Sequence, residues 1–222
     1  MTTRSDKPDN SPLATGSLKP ASSANTDSHT TDNHSTDSRA GGTSLLDKQS
    51  TGLIIIDVQG KLAEQMYEAG ALFQQLRTLI AGAKLMELPI VWMEQIPQKL
   101  GGTREEIRTL LPGTPYSKHT FSGMKNPEIA AAIEQYDCQQ WLVAGIEAHI
   151  CVYQTVTDLL AQGSGVQLVT DAVSSRSAAN KTLALQKMAA LGAQLTSVEM
   201  ALFELQQVAE GDVFRQLIKL VK

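Results

Sequence analysis

From residue 51 onward, short apolar runs alternate with longer stretches in which apolar residues return every three or four positions. Leu53-Ile54-Ile55-Ile56 is continuous and stops at Asp57. Such a run suits a strand covered on both faces, as in a parallel sheet. Leu72, Leu76, Leu79, Ile80 and Ala83 repeat at helical spacing, which predicts a helix over 71–88 ended by Pro89. Ile90-Val91-Trp92-Met93 reads as the second strand. Residues 99–102 read as a flexible loop, with Thr103 capping a short helix that reaches Leu111. Pro112-Gly113-Thr114-Pro115 then turns the chain into the segment 116–121.

Asn126-Pro127-Glu128 combines an N-cap residue, a proline at the first helical position and an acid in the first turn, so a helix should run from there to Gln135. A strand is expected over 140–144. Val152, Thr155, Val156, Leu159 and Leu160 then mark one face of a helix opening near Cys151. A strand over 166–170, a helix over 178–191 closed by Gly192, and a last strand over 194–196 follow. Helices over 199–207 and 212–220 end the chain. This order predicts an α/β fold with a mainly parallel sheet and helices on both faces. Ligands of such sheets bind beyond the carboxyl ends of the strands, where the strand order reverses. Residues 1–50 are rich in Ser, Thr, Asp, Asn and Gly and carry few large apolar groups. They cannot bury enough surface to offset their ordering entropy, so a disordered tail is expected over 1–50 and one folded domain over 51–222.

Composition narrows the function. The 222 residues carry a formal net charge of -4, which argues against nucleic acid as a partner. Two cysteines, Cys138 and Cys151, make no disulfide framework, and the first residues lack a secretory pattern. A cytoplasmic setting is expected. No apolar run is long enough to span a bilayer, so no membrane partner is expected. No Gly-x-Gly-x-x-Gly follows the first strand, and no P-loop is present. His119 and His149 are the only histidines beyond the tail. Neither a metal site nor any cofactor is expected.

Three side chains carry the candidate chemistry. Cys151 opens a helix, where unpaired N–H groups and the helix dipole lower a thiol pKa. It reads as a nucleophile, or else as a small buried residue. Asp57, at the end of the first strand, reads as a general base or as a turn aspartate. Lys118 could hold that carboxylate and favour a thiolate, or be a solvated surface lysine. His149 offers Cys–His pairing, although its ring lies in the turn itself. Glu147 could be a second base. Asp158 and Asp171 look structural.

These segments, in this order, resemble the isochorismatase-like cysteine hydrolase family. The similarity is carried by 53–59, by Lys118-His119-Thr120-Phe121-Ser122, by Gly145-Ile146-Glu147-Ala148-His149-Ile150-Cys151-Val152, and by 171–177 and 198–203. Glu94-Gln95-Ile96-Pro97 followed by Leu100-Gly101 is most similar to the YcaC-related branch. The resemblance implies a three-layer α/β/α fold with a six-stranded parallel sheet. It implies an Asp57–Lys118–Cys151 triad, a cis peptide between Ile146 and Glu147, and an oxyanion hole made by the backbone N–H groups of Glu147 and Cys151. Nicotinamidases of this family carry an Asp and His metal cluster after the second strand. Glu94, Gln95 and Ile96 stand there in this chain, which points away from a bound metal and from nicotinamide. The expectation is a metal-independent hydrolase of a small amide C–N bond, acting through a Cys151 thioester, on a small-molecule substrate and as a homo-oligomer. Two alternatives stay open: vinyl-ether hydrolysis with Asp57 as acid, and a catalytically idle metabolite-binding or interaction protein. The pocket is expected from the loop 94–102 and Met124.

Overall fold

A computed structural model describes residues 45–222. The predicted disorder of the tail falls on residues outside that range up to 44. The folded part begins ahead of residue 51, however. Leu46 is fully buried, its N–H donates to Glu204 at 2.7 Å, and the Ser50 carbonyl accepts from the N–H groups of Gln139 and Gln140.

The elements run β1 (Thr51–Ile56), α1 (Gly60–Glu64), α2 (Ala69–Leu85), β2 (Ile90–Gln95), α3 (Pro97–Leu100), α4 (Glu105–Arg108), β3 (Tyr116–Lys118), α5 (Pro127–Gln135), β4 (Gln140–Ile146), α6 (Tyr153–Ala161), β5 (Gly165–Ser174), α7 (Ala178–Ala190), β6 (Gln194–Thr196), α8 (Val198–Gln206) and α9 (Gly211–Val221). The sheet has six strands in the order β3-β2-β1-β4-β5-β6, and every pairing is parallel. Helices cover both sides, the three-layer arrangement expected. The order reverses at β1, which pairs with β2 on one side and β4 on the other.

Side chains on a strand alternate between faces, and β1 feeds both cores. Leu53 and Ile55 pack with α2, α8 and α9, while Ile54 and Ile56 pack with α5, α6 and α7. That is why four consecutive residues are apolar. Each such side chain stabilises the fold by about 1.5–3 kcal/mol on burial. Helix starts follow local chemistry. The Asn126 side chain accepts from the N–H groups of Glu128 and Ile129 ahead of α5. Ser177 and Ser197 cap α7 and α8 in the same way.

Two local expectations are corrected. The segment 97–100, partly inside the expected flexible loop, is the short helix α3. Thr103 does not cap α4: its N–H and hydroxyl both donate to Glu94, at 2.6 and 2.8 Å, and Arg104 precedes the helix. Met124 is buried among Met93 and Ile129 in the core that also holds Cys151.

Candidate active site

Asp57, Lys118 and Cys151 come together at the carboxyl edge of the sheet. Asp57 follows β1 in a left-handed conformation with φ 52°, which short polar side chains tolerate better than apolar ones. Its N–H donates to the Met93 carbonyl at 3.1 Å, so its backbone stays tied to β2. Lys118 is the last residue of β3, two strands away. Its side chain is fully buried and reaches back across β2 to Asp57. The surface-lysine alternative is thereby excluded. The Nζ donates to Asp57 Oδ2 at 2.7 Å, to Gln95 Oε1 at 2.6 Å and to the Thr120 carbonyl at 3.3 Å.

Cys151 does not open its helix. The helical segment starts at Ala148 with a wide π-type turn, Ala148–Val152, ahead of α6. The Glu147 carbonyl accepts from the N–H groups of both Ile150 and Val152, and the Thr155 hydroxyl holds the Cys151 carbonyl at 2.7 Å. The Ile146–Glu147 peptide bond is cis. Gly145 has φ 119°, and a Cβ there would lie 2.1 Å from the Ile56 carbonyl oxygen. Only glycine lets β4 pass this close to the end of β1, which brings the turn carrying Cys151 beside Asp57.

Burial dominates the electrostatics. It pushes the Asp57 carboxyl above its usual range, and the Lys118 ammonium works against that rise. The thiol of Cys151, 7% exposed, is pushed up to about 12, first by burial and then by the Asp57 carboxylate; Lys118 pulls the other way. The lowered thiol pKa expected from a helix start is therefore overturned. Desolvation of the sulfur and a neighbouring anion outweigh the helix dipole. At rest the sulfur carries its proton. Asp57 and Cys151 are close enough for each to shift the other's ionisation. Asp57 Oδ1 is buried and has no hydrogen-bond partner.

The remaining candidates face elsewhere. His149 Nδ1 sits 2.9 Å from the Ser175 hydroxyl and Nε2 sits 3.4 Å from Asn180, so its ring is engaged with the start of α7 rather than with the thiol. The Glu147 carboxylate accepts from the backbone N–H and side-chain Nε of Arg176, at 3.2 and 3.1 Å. Asp158 takes the Ser122 hydroxyl at 2.6 Å, and Asp171 accepts the first N–H of α8 at 2.9 Å. Both are structural, as expected. Among the described residues no three His, Cys, Asp or Glu side chains cluster as metal ligands would, and no helix is long and apolar enough to cross a membrane.

Sequence reasoning missed Gln59 and Gln95. Gln59 Nε2 donates to the carbonyls of Gln95 and Gly101, and its Oε1 accepts the Gln95 N–H at 2.6 Å. Gln95 ends β2 as Asp57 follows β1, and that shared strand-end position was the available signal.

The isochorismatase domain model matches residues 51–200. The secreted isochorismatase effector Isc1 of Phytophthora sojae is 34% identical over 179 residues, covering 78% of this chain and 85% of that protein. The MAR1 ribonuclease structure from Caenorhabditis elegans is 31% identical with a TM-score of 0.75, over 80% of this chain and 92% of that one. YcaC from Escherichia coli, described as an octameric hydrolase of unknown specificity, shares the fold at 22% identity and a TM-score of 0.75, over 79% of this chain and 90% of that one.

Proposed function

The chain belongs to the isochorismatase family of hydrolases, and on that premise we propose that it hydrolyses the C–N bond of a small amide through a thioester on Cys151. The observation that carries this is the division of labour within one carboxylate. Asp57 Oδ2 is anchored by Lys118, and Oδ1 is buried without a hydrogen-bond partner, in a carboxylate close enough to Cys151 to raise its thiol pKa. One oxygen fixes the group in place and the other is free to take a proton.

The thiol is protonated at rest, so proton transfer accompanies attack. The Sγ–H proton moves to Asp57 as sulfur bonds to the amide carbon, and the carbonyl oxygen becomes an oxyanion. The N–H groups of Glu147 and Cys151 receive that oxyanion. The C–N bond then breaks, Asp57 returns the proton to the departing nitrogen, and a thioester remains. Water gives a proton to Asp57 and its hydroxyl to the thioester carbon. The acid leaves and the proton returns to sulfur. Lys118 holds Asp57 throughout and steadies negative charge on sulfur. Nothing in this scheme requires a cofactor or metal.

A substrate of small size is supported by the burial of Asp57, Lys118 and Cys151. The worm relative is described as a ribonuclease, but a net charge of -4 gives this chain no general attraction for nucleic acid. Phe121, three residues past Lys118, is 54% exposed, an apolar ring suited to cover by a second copy in a homo-oligomer. Both cysteines are free, which suits a reducing cytoplasm.

Screening small amides while trapping the acyl-enzyme by intact mass tests the scheme. Cys151→Ala should abolish turnover and the adduct with the fold intact; unchanged hydrolysis by that variant would reject it. One observation favours a second reading. The raised Asp57 pKa also suits an acid that protonates a vinyl ether. Alkylation of Cys151 separates the two, since only the thioester route is blocked.

A further inference from the structure

The Lys118 ammonium has two side-chain acceptors of different charge. Asp57 ionises, and Gln95 does not. The Gln95 amide has one consistent orientation. Its Oε1 lies 2.6 Å from Lys118 Nζ while its Nε2 donates to the His119 carbonyl at 3.0 Å. Turning the amide over would set an NH₂ against an ammonium and a carbonyl oxygen against a carbonyl oxygen. The backbone below it is fixed as well. Gln59 closes a reciprocal pair with it, accepting the Gln95 N–H at 2.6 Å and donating to the Gln95 carbonyl at 3.1 Å. Gln95 is 7% exposed. Gln95 also pairs in register with Lys118 across β2 and β3.

The physical consequence lies in the choice of a neutral acceptor. A buried lysine needs its N–H groups satisfied. A second carboxylate would satisfy them but would split the ammonium's field between two anions. An apolar residue would leave a hydrogen unpaired and the long side chain free to swing. An amide oxygen fills the coordination of the nitrogen without claiming its charge.

We propose that Gln95 is a positioning residue: it holds the Lys118 ammonium between Asp57 and Cys151 and, by being neutral, leaves the lysine's charge available to the carboxylate and to the developing thiolate. This rests on the Asp57–Lys118–Cys151 reading and extends it. Gln95 touches no reacting atom; it acts through Lys118.

The test uses the full chain carrying Cys138→Ser, so that Cys151 is the one remaining thiol, with iodoacetamide as the probe. Alkylation is followed by intact mass across a pH series, beside a thermal melt. Gln95→Glu keeps the shape and adds an anion, so the alkylation rate at neutral pH, which follows the small thiolate fraction, should fall about tenfold. Gln95→Met keeps the length and removes the acceptor, and the rate at neutral pH should fall about tenfold. A purely structural role would lower the melting temperature and leave the alkylation rate in place. Folded variants with rates within about twofold of the parent across the pH series would overturn the proposal. Loss of folding in both would assign Gln95 to the frame of the sheet and overturn it too. Lys118→Met in the same background separates the layers of the argument. If it leaves the profile unmoved, the triad reading fails and takes Gln95 with it. If it moves the profile and the Gln95 variants do not, only the role of Gln95 fails.

Discussion

Two ion pairs in this protein have the same contact length and opposite surroundings. Lys118 Nζ lies 2.7 Å from Asp57 Oδ2 at the sheet edge, with side chains 0% and 4% exposed. Arg108 lies 2.7 Å from Glu105 on the outer face of α4, with side chains 52% and 68% exposed. On α4, water screens both charges and would solvate either one alone. At the sheet edge neither charge has water to fall back on, and each is tolerable only because the other is present. The contact distance therefore does not tell the two regions apart. What distinguishes the sheet edge is desolvation, together with a carboxylate oxygen that no cation occupies.

The sharpest break of this comparison is Lys118→Met. Removing one partner of the buried pair should lower the unfolding free energy by about 3–5 kcal/mol, read from urea melts. Adding Asp57→Asn to that variant should recover most of the loss, because no uncompensated charge is left. A double variant as unstable as the single one would mean that the pair holds the sheet edge by packing rather than charge.

A second, smaller effect appears along the pH axis. Folding raises the Asp57 pKa above its unfolded value, so the fold favours the protonated carboxyl. This group's contribution to stability is full below the unfolded pKa and is lost as pH rises through the folded one. Asp57→Asn should remove that decline from a pH series of urea midpoints. Hydrolysis needs the carboxylate, so the rate should fall on the acid side with a midpoint above the ordinary carboxylate range. An acid limb at the ordinary carboxylate position would contradict the assignment of Asp57 as the base.

The smallest effect belongs to the other pair. Arg108→Ala should leave the melting midpoint and the reactivity of Cys151 unchanged, checked by a thermal scan and by alkylation. A clear loss in either would show that burial is not what separates the two pairs.

Much of the fold was legible in the chain. Leu53-Ile54-Ile55-Ile56 announced a doubly covered strand because each residue had to satisfy one of two cores. Asn126-Pro127-Glu128 announced a helix start because capping is local chemistry. Strand β3 was not legible from the pattern. It has three residues at the sheet edge, too few to show a period, and it became a strand through its neighbour β2. For the same reason the pattern left its last residue, Lys118, open between a surface lysine and a partner of Asp57, and only the family resemblance pointed to the second.

The sequence by itself determined the layers, the parallel sheet and the strand ends at which chemistry could sit, because periodicity and capping act over a few residues. The tertiary structure alone decided the charge states and the partners. The thiol that a helix start should acidify is instead pushed up to about 12 by burial beside Asp57, and Gln95 acquires its lysine only when β2 and β3 pair. Proton affinity and hydrogen-bond partnership depend on which groups meet, and on how much water is left between them, after distant segments fold together.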